Sequence, residues 1–442
     1  MRLFLLLTGL YCLPGFLKAQ LPSEIIGEIK TINNALVTTS CTQGKGQLIS
    51  NRAMNLFFAD KAGSYVADGG GITFYKNYIT LTTNDLRLSI DHILFEPKSN
   101  DEPIGSFMTV GIKAKVADGI GNLLPAKNYN NEFGVTIKKV WLSKVKTYFI
   151  PCTEGTDSQK NAMDRHRSSI IHTLGSGIDK KVEAFENTLQ NVSAGELPGQ
   201  DLAGAKTKMR NRFYKDLQTL SARQFASDQA DILSETKNYT LISRHWTSIS
   251  AYIPFIQQRF YAAPSLTSSF EQKRAYPLAL TISHSYLWES AKWGRFFIMA
   301  TGEIFCNNSQ KSYSLKKINA TDYSNLGGTD TTHVKTLQVR DLYIGQNKNF
   351  ITPVLRAQFV YIPPDWHFGI SCMMEKNFGN YKALNGKLGI PIVLMNQQRK
   401  SFIDFEFQVW YFDMANTIVP GRLTDKTTIG LSLGIPVGDL IY

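Results

Sequence analysis

The feature that most constrains this chain is a strict alternation of apolar and polar residues. In Ile403-Asp404-Phe405-Glu406-Phe407-Gln408-Val409, one face carries Ile403, Phe405, Phe407, Val409 and Tyr411. The other carries Asp404, Glu406 and Gln408. A β-strand turns successive side chains to opposite faces, so this segment has one apolar wall and one polar wall. Residues 428–437 repeat the theme, with Ile429, Leu431, Leu433, Ile435 and Val437 set against Thr428, Gly430, Ser432 and Gly434. Leu388, Ile390, Ile392 and Leu394 form a third stripe.

Two environments produce this pattern. In a soluble sandwich the apolar face is core and the polar face meets water. In a membrane barrel the apolar face meets lipid and the other lines the lumen. The alternating segments run about 10–13 residues, where strands of soluble sheets average about 5–6. The last of them reaches almost to Tyr442. Aromatics gather near segment ends (Trp246, Trp288, Trp293, Trp366, Trp410 and Tyr411), as in the rings that anchor barrels in the head-group layer. These features favour the barrel. Composition agrees: 43% hydrophobic, 12% aromatic and 19% charged residues exclude a disordered chain.

Residues 1–19 read as a secretory signal, with Arg2, an apolar stretch from Leu3 to Leu13, a Pro14-Gly15 break and Ala19 before Gln20. Without Arg2 and Lys18 the net charge falls from +12 to +10. In an exported protein this excess suits a lipid head-group or glycan surface as well as it suits nucleic acid, and no nucleic-acid partner is expected. Cys41, Cys152, Cys306 and Cys372 remain; they show no metal spacing, and their three pairings stay open.

The signal ending in Ala19-Gln20, the closing hairpin Phe402–Phe412 with Thr427–Val437, and the terminal aromatic Tyr442 together resemble outer-membrane β-barrels of the Bacteroidota type. The resemblance covers most of 72–442 outside a helical insert. It implies a location, the outer membrane of a Gram-negative bacterium, and a fold, but no activity.

The expected fold is mainly β: an antiparallel transmembrane barrel of about twelve strands with an inserted α-helical hairpin. The strands are predicted at 72–82, 86–96, 105–117, 134–149, 245–262, 276–288, 293–305, 351–362, 366–375, 386–396, 402–413 and 427–437. Thr336–Ile344 is a further candidate that would change the parity. The chain divides into the signal (1–19), an N-terminal segment (20–71), first strands (72–149), the insert (150–244) and the remaining strands (245–442). With the C-terminus in the periplasm, the links at 289–292, 363–365 and 397–401 become short periplasmic turns, and the insert lies on that side.

Within the insert, Met163, Ile170, Leu174, Ile178, Val182, Phe185, Leu189 and Val192 share a helical face. A Gly/Pro turn at 194–199 separates it from a second stripe of Met209, Phe213, Leu217 and Leu220. That second helix carries Lys206, Lys208, Arg210, Arg212 and Lys215, the candidate partner-docking residues. A hairpin with one apolar face must pack on itself, on the barrel rim or on another protein, so a periplasmic or envelope partner is expected beside outer-membrane lipid.

No hydrolase, phosphate-loop, zinc or calcium motif is present, and no catalytic residue, metal ligand or cofactor is expected. Ser283-His284-Ser285 is the best enzyme candidate, but neighbours on one strand point apart, so His284 cannot activate either serine. Asp404, Glu406 and Gln408 are the lumen-facing candidates. Asp404 and Glu406 bias a pore toward cations, bind a basic ligand, or pair with Lys387, Arg356 or Lys376. The leading function is a non-enzymatic structural or accessory subunit docked through the insert. A diffusion channel or small-solute transporter is the alternative, and a lipid-modifying enzyme the third. Residues 20–71 show no recognisable plug-domain signature.

Overall fold

The computed structural model describes residues 50–63, 75–82, 87–94, 104–115, 133–149, 175–187, 202–237, 239–255, 258–265, 271–310, 315–325, 334–395, 401–418 and 420–440, with scattered positions at 23–33, 172, 268–269 and 312. The leader, Cys41, Cys152, the turn at 194–199 and Tyr442 lie outside the described residues.

Strands follow the alternation. β1 (Tyr75–Thr82), β2 (Arg87–Ile93), β3 (Ser106–Lys115) and β4 (Gly134–Leu142) form consecutive antiparallel pairs. β5 (Lys146–Phe149) continues the line of β4 along β6 (Tyr239–Pro254). So the strand expected at 134–149 is broken at Ser143, where the Ser143 N–H donates to the His245 carbonyl at 3.0 Å. β6 starts at Tyr239, inside the stretch assigned to the insert.

Two loops then leave the wall. β7 (Gln258–Ala263), β8 (Glu271–Ala275), β11 (Lys316–Asn325) and β12 (Val334–Ile344) build a separate four-stranded sheet, in which β12 pairs in parallel with β7. This corrects the expected strand 245–262, whose distal part leaves the barrel, and the extra candidate at 336–344 is a strand that does not change the barrel's parity. β9 (Ala279–Ser290), β10 (Gly294–Asn308), β13 (Asn349–Ile362), β14 (Ile370–Asn377), β15 (Leu384–Met395), β16 (Ser401–Tyr411) and β17 (Thr427–Leu440) complete the wall.

The β1–β17 and β4–β6 pairings close the sheet into a twelve-stranded antiparallel barrel. Closure leaves no unpaired edge, which is the condition for a sheet to sit in hydrocarbon. The exterior is apolar: Ile429, Ile370 and Ile351 are 79%, 64% and 62% exposed. Their strand neighbours Thr352 and Ser371 are fully buried. A water-soluble protein hides such residues, so the polarity is that of an outer-membrane barrel.

The end carrying the start of β1 and the end of β17 (the terminal end) also carries two helices. α1 (Asn51–Gly63) precedes the barrel, and α2 (Leu202–Thr236) leads into β6. Residues 175–187 are also helical and pack on α2. Phe185 stacks on Phe213 at 4.2 Å, and Ile178 and Val182 share a buried cluster with Leu217 and Ile29. Contacts move backwards along α2 as the chain advances from 178 to 185, so the two stretches run antiparallel. Lys237, just after α2, is left-handed (φ 49°), and its ammonium pairs with Asp365 in the β13–β14 turn.

Trp293 and Trp366 are exposed at the terminal end, and Trp288 stacks on Phe296 on the outer wall. Trp246 and Trp410 do not join this collar. Trp246 is 2% exposed inside the barrel, and Trp410 donates to the inward-facing Gln408 at 2.8 Å. Both fall on inward positions of strands that cross the membrane level, where nearness to a strand end says nothing about the face. Cys306 and Cys372 are free thiols.

The β9–β10 turn depends on Gly294, which has φ +82°. A Cβ there would lie 2.3 Å from the Ile362 carbonyl oxygen. Gly294→Ala is expected to lower stability by at least about 1 kcal/mol from the left-handed backbone alone. Urea titration of the refolded barrel, followed by tryptophan fluorescence, reads this as an earlier midpoint; an unchanged midpoint contradicts the turn geometry.

Candidate functional site

The barrel interior divides into two halves of different chemistry. Toward the loop end it is polar. Glu406 accepts hydrogen bonds from Lys387 Nζ at 3.1 Å, from Gln408 Nε2 at 2.7 Å and from the Ser371 hydroxyl. The Lys387 and Glu406 side chains are 0% and 1% exposed. Gly389 makes room for this carboxylate: a Cβ there would meet Glu406 Oε1 at 2.4 Å and Ser371 Oγ at 2.5 Å.

Beside it, Glu375 accepts from Arg356 Nη2 at 2.6 Å and from Asn385 Nδ2 at 2.9 Å, and Arg356 lies 4.0 Å from Glu303. Asn385 links this cluster to the rim by accepting the Asp413 N–H at 3.0 Å. The Asp413 carboxylate gathers the N–H groups of Thr417 and Ile418 at 2.9 and 2.7 Å, with Lys426 at 3.6 Å. Lys387, Glu406, Arg356, Glu375, Asp413 and Lys426 each have an opposite charge and further hydrogen bonds, which is what makes their burial tolerable.

All three lumen candidates, Asp404, Glu406 and Gln408, are 1% exposed and sit between outward-facing Ile403, Phe405 and Phe407. Of the proposed counter-charges, Lys387 meets Glu406 and Arg356 meets Glu375. Lys376 points out of the barrel and donates to the Lys382 carbonyl. Side chains at 1% exposure do not border a water-filled bore, so the interior at this level is filled.

Toward the terminal end the interior is mainly apolar, with one Arg295–Glu289 pair at 2.8 Å, and α1 fills it. Ser50 caps the helix, its hydroxyl accepting the Ala53 N–H at 3.1 Å. Phe58, Ala59 and Ala62, spaced as one helical face, pack on inward side chains of six strands: Phe107, Val140, Trp246, Leu287, Phe297 and Val360. On its other side Ala53, Met54 and Phe57 pack on Ala226, Ala230 and Leu233 of α2. Arg244 ties helix to wall. It donates to Asn55 Oδ1 at 3.0 Å and to the Ser143 and Ile104 carbonyls, with its guanidinium 5.0 Å from the centre of the Phe58 ring. The gap beside Ala62 and Phe297 is about 10 Å³, no more than the size of a single water.

α1 is the functional element that sequence reasoning missed. Residues 20–71 lack a helical stripe because α1 is buried on both sides, and a helix used on both faces shows little periodicity. The usable signal was Ser50 as a cap followed by seven apolar residues among positions 53–62.

The five docking candidates separate. Lys208, Arg212 and Lys215, at steps of four and three, share one exposed face of α2. Arg212 is 3.9 Å from Asp216, with both side chains largely exposed. Arg210 is used within the chain, 2.9 Å from Glu186, and Lys206 is half-buried. Ser283-His284-Ser285 splits across the wall. The two serines are buried inside, where Ser283 lies 2.7 Å from Ser248, whereas His284 faces outward, 2.9 Å from Thr247 Oγ1.

No family model matches the chain, and no curated protein does. Among solved structures, it is similar to a loop L8 deletion mutant of OmpT, an outer membrane protein of Vibrio cholerae. That match has 7% identity and a TM-score of 0.23, covering 82% of this chain and 96% of that one. In-vitro folded OmpT of the same organism matches at 7% identity and a TM-score of 0.21, covering 84% and 97%. The sequence expectation that the chain is not an enzyme is corrected here: with OmpT chains as its structural neighbours at so great a distance, an activity is neither assigned nor excluded.

Two outcomes follow from the packed interior. Lys387→Met and Glu406→Gln are each expected to destabilise by about 3–5 kcal/mol, because each strands a buried partner, and the double variant should recover most of the loss. Additive losses in a denaturation cycle would show the pair is not coupled. Phe58→Ala should cost about 3–5 kcal/mol and loosen α1, read as faster proteolysis within 50–63; unchanged protection would place α1 elsewhere.

Proposed function

We propose that the chain is an outer-membrane β-barrel of a Gram-negative envelope that acts as a structural or accessory subunit. Its terminal end faces the periplasm, and the helices there dock an envelope partner through the basic face of α2. The observation that carries this reading is the exposed row Lys208, Arg212 and Lys215, on a helix whose opposite face is already committed within the chain. Phe213 and Leu217 pack against residues 175–187 and Ile29, and α1 covers Ala226 and Ala230. The contact left for a partner is therefore these charges beside exposed Met209 and Tyr214, not the apolar stripe that first suggested docking. Such a contact steers association and weakens with salt.

The filled interior favours an anchor over a diffusion channel. Glu406 and Lys387 close the polar half with each other, and α1 occupies the apolar half.

The test places a photo-crosslinking residue at Thr219, one turn beyond Lys215, in intact cells. Discrete adducts are expected, and they should vanish in Lys208→Glu/Arg212→Glu/Lys215→Glu while the folded barrel persists. Steady conductance of the wild type in planar bilayers, with no adducts, would replace this reading by the channel.

A further inference from the structure

The polar half of the barrel is filled beside Glu406, but not across from it. Inward residues of β4, β6, β9 and β10 lose water-accessible surface stepwise from the loop end. On β6, Tyr252 and Ser250 are half-buried and Ser248 is 2% exposed; on β9, Thr281 is half-buried and Ser283 is 2% exposed. On β10 the Glu303 side chain is 23% exposed, whereas Thr301 is 4% exposed. On β4, Thr136 and Lys138 are half-buried and Val140 is buried. These residues line a recess that opens toward the loop end and closes on a floor of Ser248, Ser283 and Thr301. Beyond that floor lie Val140 and Trp246, the wall against which α1 packs.

One row of the recess is continuous. Lys138 pairs with Ser250, Ser250 with Thr281, and Thr281 with Glu303. A cation, two hydroxyls and a carboxylate therefore stand in line on four adjacent strands, all facing inward. The two ends carry opposite net charge. At one end Lys113 and Lys138 share the Asp91 carboxylate, which lies over Gly111, and one positive charge is in excess. At the other, Glu303 lies 4.0 Å from Arg356, which also bonds Glu375 at 2.6 Å, and one negative charge is in excess. Tyr252 stands in the next row toward the loop end, with Lys113 Nζ 5.5 Å from its ring centre. On the floor below Glu303, the buried Thr301 hydroxyl has no hydrogen-bond partner within the chain. A buried hydroxyl left unmet is costly, so the floor favours a ligand that brings polar groups to it.

We propose that this recess binds a short zwitterionic peptide, entering from the loop end. Glu303 takes the terminal ammonium and Lys138 the terminal carboxylate. Ser250, Thr281 and Thr301 meet the peptide groups between them. Three strand spacings separate Lys138 from Glu303, about 14 Å along the wall. That is too far for the two charges of one amino acid, and it matches an extended peptide of about three or four residues at about 3.5 Å each. The site depends on closure of the barrel and not on the docking role of α2.

The test is isothermal titration calorimetry on the full-length protein refolded in detergent micelles, with tetraglycine as the probe. Saturable binding is expected, weaker by about tenfold or more when either terminus is blocked, because each block removes one charged hydrogen bond. Glu303→Gln should weaken tetraglycine by a similar factor and leave N-acetyl-tetraglycine unchanged. Lys138→Met should weaken tetraglycine likewise and leave tetraglycine amide unchanged; if that variant does not fold, the Glu303 arm decides alone. Lys376→Gln, which removes a charge outside the recess, should bind as the wild type does. No saturation of the folded wild type at millimolar peptide overturns the site, as do equal affinities for free and blocked peptides. Maltotetraose binding as tightly as tetraglycine would assign the recess to a sugar and overturn a peptide site. An equal loss in Lys376→Gln would show that bulk charge, not the recess, holds the peptide, and overturns it too.

Discussion

Closure of the sheet is the constraint on which the rest of this structure depends. Twelve strands pair in a ring because β1 finds β17 and β4 finds β6. In hydrocarbon every backbone donor and acceptor must be met within the protein, and only a closed sheet does this with strands. Once closed, the ring imposes two consequences. Its outward positions must be apolar, and its inward positions enclose a space that side chains or another element must occupy.

The chain fills that space in two ways. At the loop end, charges from β10, β13, β14, β15 and β16 meet each other in Arg356–Glu375 and Lys387–Glu406, with amides and hydroxyls taking the remaining lone pairs. At the terminal end most inward wall residues are apolar, and there the chain inserts Phe58, Ala59 and Ala62. The boundary between the halves follows the inward residues of single strands. β13 passes from Arg356 through Gln358 to Val360 and Ile362.

α1 has a second consequence. Because Phe57 and Met54 pack on α2 while Phe58 packs on the barrel, the helices and the wall share one buried element. Lys237–Asp365 adds a tie at the rim. The helical region is thus held against the barrel by its own chain, and among the described residues Lys208, Arg212 and Lys215 stay on its exposed surface.

The alternation of Ile403–Val409 and of residues 428–437 determined that the chain makes long two-faced strands, because side-chain direction along a strand is a local property. It also placed Asp404, Glu406 and Gln408 on one face and separated His284 from its neighbouring serines. The stripes of Ile178, Val182 and Phe185 and of Phe213 and Leu217 likewise showed which helical faces would be buried. Tertiary structure alone decided what those faces meet. Trp246 and Trp410 turned inward because closure, not nearness to a strand end, sets the side. β7 and β12 left the wall for a second sheet, a choice made by pairing across 70 residues and more. α1 was illegible because its two faces serve two partners, and no one-dimensional pattern records a helix buried between a barrel and another helix. Pairing of Lys387 with Glu406 is a fact of register, which exists only once the strands are assembled.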